Sequence, residues 1–416
     1  MHILALLVGL SFAEEPKNGT SSEDVEMSDT VSGRKVKTLE IEDKTLGTIS
    51  YEDSEMVGEY PKRIDNGAKW LDVTPEFMWH CWLVMNSLYD RDYRGLHTVL
   101  ENVKKKYPNS GVEPVGRALM YQTLMLENFD FKYETQYKTM FELAKQDLEQ
   151  AMMSPGNDAW EAFLLGAILG VDAIHELRKE EFLNAINQGY EAVKWIDKAK
   201  KLAPDFVDAD LGDGLWIYWR SLIAANVPGF SNLGFADDRE KGIKLMQRAE
   251  REAVFLRPAA SHALTYTWIE ERKMKKALAA AKALEAAYPN NIINLQVLGR
   301  VEMYNRLYKD AEQSFNKVLK LSPKNQRVHY YLARLYMKEN KYKAAEKEIN
   351  TYLKFDLSDY HKGYGYYYKG HILMRQKKYT EAAKSYDMAW KVNKIEKAKE
   401  RAEAARNMAD KKKKNK

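Results

Sequence analysis

A single cysteine, Cys81, stands in 416 residues, which excludes an intrachain disulfide framework and any cysteine-built zinc site. His-Glu-x-x-His, Walker, Gly-x-Gly-x-x-Gly and Gly-x-Ser-x-Gly patterns are all missing. His80 and Cys81 are adjacent, so on a helix they point about 100° apart and make a poor nucleophile pair. His361 and His371 frame a tyrosine-rich stretch that lacks a third metal ligand. An excess of one charge is also absent. The chain has 65 Lys+Arg against 60 Asp+Glu, a net of +5, too balanced to indicate nucleic acid. No segment has about 18 consecutive apolar residues, so no transmembrane helix is expected. Nothing in the sequence supports catalysis, a metal or a cofactor.

Residues 71–390 are rich in apolar and aromatic positions, and the two ends differ from them. Ile3 to Phe12 is an apolar run followed by Ala13 and then Glu14-Glu15-Pro16, with Ser11 and Ala13 two apart. This spacing predicts a secretory leader over 1–13 and hence a periplasmic or secreted protein; the alternative is a buried N-terminal helix or strand in a cytoplasmic one. Residues 14–70 carry 14 acidic and 8 basic residues and are expected to be largely disordered. They hold a glycosylation sequon at Asn18 and a β-hairpin candidate over 36–51. From Lys391 to Lys416 the net charge is +7, leaving the rest at −2. Ala398, Ala402 and Ala405 share a helical face there, so a basic capping helix and tail are predicted. The Lys-rich end would give at most weak contact with an anionic surface.

The informative feature is a period. Ala277, Ala311 and Ala345 are 34 residues apart, as are Pro289 and Pro323, Tyr308 and Tyr342, and the pairs Leu298-Gly299 and Leu332-Ala333. Small residues at such spacing let two helices of a hairpin approach closely, while large ones fill the gap to the next hairpin.

The pattern resembles the tetratricopeptide repeat. Residues 292–325 carry it as Leu295, Leu298, Gly299, Tyr308, Ala311, Phe315 and Pro323, and 326–359 as Leu332, Ala333, Tyr336, Tyr342, Ala345 and Ile349. A further unit has Gly370, Tyr379, Ala382, Tyr386 and Ala389, and a weaker one spans 258–291. Upstream, over 71–257, the units are degenerate: Leu96, Leu100 and Val103 fit one second helix, and Tyr190, Ala192, Ile196 and Ala199 another. The resemblance implies an all-α fold, a right-handed α-solenoid of antiparallel helix pairs. It is regular over 258–390 and interrupted by an irregular insertion at 220–236.

From the end of that insertion into the helix that follows, Gly234, Phe235, Asp238, Arg239, Glu240 and Gly242 resemble a Gly-Phe-x-x-Asp-Arg-Glu-x-Gly stretch of a eukaryotic repeat family. That family is associated with the outer mitochondrial membrane and with lipid-dependent clearance of protein inclusions. Read without the resemblance, the segment is a connector followed by a helix with capping-box spacing from Asp237 to Glu240.

The family resemblance also implies a concave groove lined by the first helix of each pair. Carried over by position, its ligand-facing residues are His262, Tyr266, Gln296, Arg300, Met303, Arg327, Tyr330, Arg334, Met337, Tyr367 and His371. Arginine, tyrosine and methionine suit a peptide with acidic and apolar side chains, and the acidic segment 14–70 could fill the groove in cis. The expected function is a non-enzymatic, exported scaffold for a protein or peptide. The competing expectation is a lipid or small-ligand binder with an apolar cavity around Trp216, Trp219 and Phe230.

Overall fold

The computed structural model describes residues 60–153, 158–179, 181–226 and 237–414. The leader, the sequon, the hairpin candidate, Phe230, Gly234 and Phe235 lie outside the described residues. Among those described there are eighteen helices and no strand. The first half comprises α1 (Tyr60–Leu71), α2 (Pro75–Asp90), α3 (Tyr93–Lys106), α4 (Val112–Asn128), α5 (Glu134–Ala151), α6 (Ala159–Arg178), α7 (Phe182–Leu202), α8 (Ala209–Asn226) and α9 (Arg239–Glu252). The second comprises α10 (Arg257–Glu270), α11 (Met274–Ala287), α12 (Ile292–Tyr304), α13 (Tyr308–Leu321), α14 (Gln326–Lys338), α15 (Tyr342–Tyr352), α16 (Asp359–Arg375), α17 (Tyr379–Asn393) and α18 (Glu396–Lys414). Each helix packs against its successor, which makes an all-α solenoid.

The spacing of small and large residues explains the packing. A Cβ on Gly299 of α12 would come within 2.5 Å of the Phe315 ring on α13, so glycine there is what lets these two helices approach. Ala277, Ala311, Ala345, Phe315 and Ile349 are all buried. On α18, Ala398, Ala402 and Ala405 are fully buried against α17.

Two boundaries differ from the sequence reading. Among the described residues a helix already stands at Tyr60–Leu71, inside the segment expected to be largely disordered, because Ile64, Ala68 and Leu71 form a short buried stripe that the surrounding acidic composition hides. The helix α8 runs to Asn226, so the first residues of the expected insertion are regular.

The turn inside each repeat is also periodic. Arg272, Arg306, Asn340 and Lys377 all have φ between 56° and 62°, and each follows a first helix. The next amide reaches back five residues: Lys273 N donates to Trp268 O (2.7 Å) and Lys341 N to Tyr336 O (2.8 Å). This is a Schellman closure that satisfies the terminal carbonyls of the helix. Arg91 after α2 and Phe129 after α4 take the same conformation, with Asp92 N on Ser87 O and Asp130 N on Met125 O. The degenerate first half is therefore built from the same turns as the regular second half.

Those two upstream turns dock onto the second half. Asn291 caps α12 with its side-chain oxygen and donates from Nδ2 to Tyr89 O (3.0 Å). Asn325 caps α14 and donates to Glu127 O (2.7 Å). Gln296 adds a bond to Glu127 O (2.9 Å) and Gln326 one to Phe129 O (2.6 Å). The Arg327 guanidinium lies 3.6 Å from the centre of the Phe129 ring, a cation–π stack. The solenoid thus curls until its first half meets the inner face of its second.

Candidate functional site

A cavity of about 1090 Å³ lies inside this curl, walled by α2, α4, α6, α7, α8, α10 and the turn from α11 into α12. Its lining is largely apolar. Ile168, Val171 and Ile174 come from α6, Ala185, Val193 and Ile196 from α7, and Leu215, Trp216 and Trp219 from α8. Ile186 and Tyr190 of α7 also line it, yet are 50% and 55% exposed, so the cavity reaches the surface along that helix. Leu183, one turn earlier, is exposed beside them. Tyr190, expected at a packing position, is instead part of this rim. The pair Trp216 and Trp219 stands where the sequence suggested an apolar cavity.

Few polar groups face the cavity, and most are occupied. Asp208 is fully buried, and its two oxygens accept from the amides of Val254 (2.7 Å), Phe255 (2.8 Å) and Leu256 (2.9 Å) at the start of α10. Loss of water pushes its carboxyl up to about 6, against the pull of those amides. Arg220 of α8 pairs with Asp238 (3.4 Å). His262 of α10 also lines the cavity, and burial holds its imidazole down at about 4, so it is neutral at physiological pH.

None of the eleven residues expected in the concave groove is classed as exposed. Gln296 and Arg327 are engaged by the α4–α5 turn, as described above. Arg300 and Arg334 are 1% and 0% exposed, with their guanidinium carbons 5.3 and 5.7 Å from the centres of Tyr331 and Tyr330 respectively. Tyr266, Met303 and Tyr330 are buried, while Met337 is partly so. At the far end, Tyr367 accepts from Arg401 Nε of α18 (3.1 Å), and His371 Nδ1 is 3.1 Å from the Tyr386 hydroxyl. The structure therefore packs the expected residues against neighbouring elements and leaves none of them on an open surface.

The central motif forms a joint. The expected capping box is not formed: the N-cap of α9 is Asp238, with no side-chain cap bond. Asp237 turns to Arg239 (2.8 Å), Glu240 pairs with Lys244 (3.0 Å), and the Asp238 amide donates to Ser221 Oγ (3.1 Å). Arg239 continues to Glu271 (3.2 Å), which also accepts from the Tyr218 hydroxyl (3.1 Å). A Cβ on Gly242 would come 2.7 Å from Gly214 O, and one on Gly214 would come 2.8 Å from Gly242 O. These two glycines set the close approach of α8 and α9.

Sequence reasoning missed a polar cluster beneath the docked turn. Lys138 of α5 pairs with Asp172 (2.8 Å) and Glu176 (2.6 Å) of α6, and the Tyr137 hydroxyl donates to Asp172 (3.0 Å). Arg178, 1% exposed, donates to Asp130 O (3.2 Å) and lies 4.6 Å from the Phe131 ring centre. The available signal was the run of charged residues on the otherwise apolar α6, which has no solvated face to put them on. The cluster fixes the α4–α5 turn in its docked shape.

Residues 303–362 match the family model described as a tetratricopeptide repeat. No curated protein sequence matches the chain. Among solved structures, the fold resembles a chain of the APC/C hetero-tetramer Cut9–Hcn1, at 15% identity and a TM-score of 0.53. The match covers 82% of this chain and 57% of that one, so this chain spans little more than half of that relative's length. Lower scores are found for the human IFIT1 dimer with PPP-AAAA (15% identity, TM-score 0.44, 85% and 78% covered) and for yeast Tom70 (13%, 0.39, 85% and 85%).

Proposed function

The chain folds as an α-solenoid of which residues 303–362 match the tetratricopeptide repeat, and from that premise we propose that it is a non-enzymatic binding protein holding a lipid or similarly apolar small molecule in its central cavity. The observation that supports this is the cavity itself. Close-packed interiors leave few voids larger than a water molecule, whereas about 1090 Å³ of mostly apolar space is the size and character of a ligand pocket. The exposed Ile186 and Tyr190 give such a molecule a way in. Gly189 of α7 supplies the test, because it lines the cavity and a Cβ there meets nothing closer than Ala173 Cβ at 3.9 Å. Gly189→Phe sets a ring into the cavity and removes a glycine from a helix interior, so the variant is expected to fold at least as stably. Mass spectrometry of organic extracts should find an apolar molecule with the parent protein and a smaller amount, or a shorter molecule, with Gly189→Phe. Identical extracts, with neither protein binding the neutral fluorophore N-phenyl-1-naphthylamine, would reject the reading.

The fold is of a kind that serves protein interaction, and one observation favours a second reading with a protein or peptide on the inner face. The side-chain amides of Gln296, Asn325 and Gln326 already bind main-chain carbonyls there, so the surface is suited to reading backbone. An outside peptide, acidic and apolar in keeping with Arg300, Arg327 and Arg334, has to displace the α4–α5 turn. Arg300→Glu with Arg334→Glu should abolish capture of such a partner; unchanged capture of every partner counts against the groove. The proposed leader makes the protein periplasmic or secreted, and the mature mass should correspond to cleavage after Ala13.

A further inference from the structure

The cavity reaches the surface along α7, and that helix is apolar on its outer side as well. Leu183, Ile186 and Tyr190 stand at i, i+3 and i+7, so they share one face. They are 78%, 50% and 55% exposed. Ile186 and Tyr190 also line the cavity, as do Ala185 and Gly189 beside them, whereas Leu183 does not. One apolar surface thus runs from the interior, over the rim, to a leucine that serves no packing role. Single exposed apolar side chains are ordinary, but a contiguous group of them marks an interaction site.

Charge and area select the partner. Phe182 to Tyr190 contains no charged residue, and the exposed neighbours Asn184 and Asn187 are neutral. The lysines on either side in sequence are matched by carboxylates: Lys179 by Glu134 (2.7 Å) and Lys194 by Glu191 (2.6 Å). Glu181, also exposed, opposes an anionic surface. The complement of such a face is a partner with no net charge. Area argues against a second copy of the chain. Three side chains of roughly 200 Å² each, at these exposures, bury on the order of 400 Å², half of the about 800 Å² per partner that a stable protein interface needs. A bilayer sets no such threshold, because its hydrocarbon takes up each apolar side chain separately. Tyrosine beside aliphatic residues is also the composition found at the level of lipid head groups.

We propose, on the reading that the cavity holds an apolar molecule, that the α7 rim docks on the surface of a neutral lipid bilayer and that the cavity fills from it. A molecule suited to an apolar cavity is poorly soluble in water, so a mouth that meets hydrocarbon directly spares it a passage through solvent. Leu183 anchors the rim, and Ile186 and Tyr190 bridge membrane and cavity. This contact differs in kind from any made by Lys411 to Lys414 at the end of α18, which needs anionic lipid and is screened by salt.

The test is flotation of the full chain with vesicles of pure phosphatidylcholine. The parent should float with them, equally at low salt and in about 0.5 M sodium chloride. Leu183→Asp puts a charge into the face while leaving the cavity lining untouched, and an acidic residue in the first turn of α7 suits the helix. It should lower vesicle affinity about tenfold or more, through lost apolar contact and a charge that must be desolvated. Leu202→Asp, at the far end of α7 and also at an exposed leucine, should float as the parent does. Without vesicles, the parent and Leu183→Asp should bind N-phenyl-1-naphthylamine equally. Absence of flotation, flotation that needs phosphatidylglycerol and disappears in salt, or equal behaviour of the two leucine variants overturns the docking while the cavity stands. A dimer in sedimentation velocity that Leu183→Asp dissolves overturns it too, and assigns the face to a second copy. Failure of the parent to bind the fluorophore overturns the cavity reading itself, and filling from the membrane with it.

Discussion

Glu302 lies near the end of α12, 3% exposed, and accepts a hydrogen bond from Ser314 Oγ (2.7 Å). Burial pushes its carboxyl up to about 7, helped by Asp310 and Glu285 nearby and opposed by Ser314 and Lys282. The native state then holds a proton that the unfolded chain has released. Stability therefore falls as pH rises from the ordinary carboxyl range, about 4.5, through about 7. Asp208 contributes a decline of the same sign, ending near 6. Glu302→Gln keeps an acceptor for Ser314 and cannot ionise. Urea denaturation should find the variant more stable than the parent at pH 8, by on the order of 2 kcal/mol, and equal to it near pH 4. A parallel decline in both proteins would show that Glu302 is not the group responsible.

The α4–α5 turn is the element that most distinguishes this solenoid from a simple stack of hairpins. Phe129 is 6% exposed, held in a left-handed conformation and stacked under Arg327. Phe129→Ala should cost about 3 kcal/mol or more in urea denaturation, and a double-mutant cycle with Arg327→Ala should give a coupling of about 1 kcal/mol or more. Zero coupling would mean that the stack contributes nothing. This element also marks where sequence reading stops. The hairpins were legible because small and bulky residues meet within about 34 positions, and the period shows it directly. The docked turn was not, because Glu127 and Asn325 are 198 residues apart and neither breaks the local pattern. The same limit applied to the site. Position in the repeat singled out Gln296, Arg300 and Arg334, but could not show that Gln296 would meet the chain's own α4–α5 turn or that the two arginines would be buried against Tyr331 and Tyr330. Trp216 and Trp219 drew attention to the cavity because they stand beside a departure from the period, whereas Leu183 and Ile186 look like ordinary helix residues until their surroundings are known.

At the scale of the molecule, the curl places the cavity between halves joined by contacts from Arg63 to Ala253, Asn86 to Tyr288, Tyr89 to Asn291 and Glu127 to Asn325. Repeat arrays ordinarily touch only their nearest neighbours, so terminal units fray and can be trimmed one at a time. Here the first four helices are stapled to units some two hundred positions away, and the array from α1 to α14 should open as one cooperative unit. Native-state hydrogen exchange should give protected amides of α3 and α14 a shared opening free energy, where a linear stack would show a gradient toward its ends. Removing residues 60–131 should then lower the melting point of α10–α17 despite leaving those four hairpins intact in sequence. The same staples close long chain loops before any local reward arrives, so the protein is expected to fold more slowly than its helical content alone would suggest.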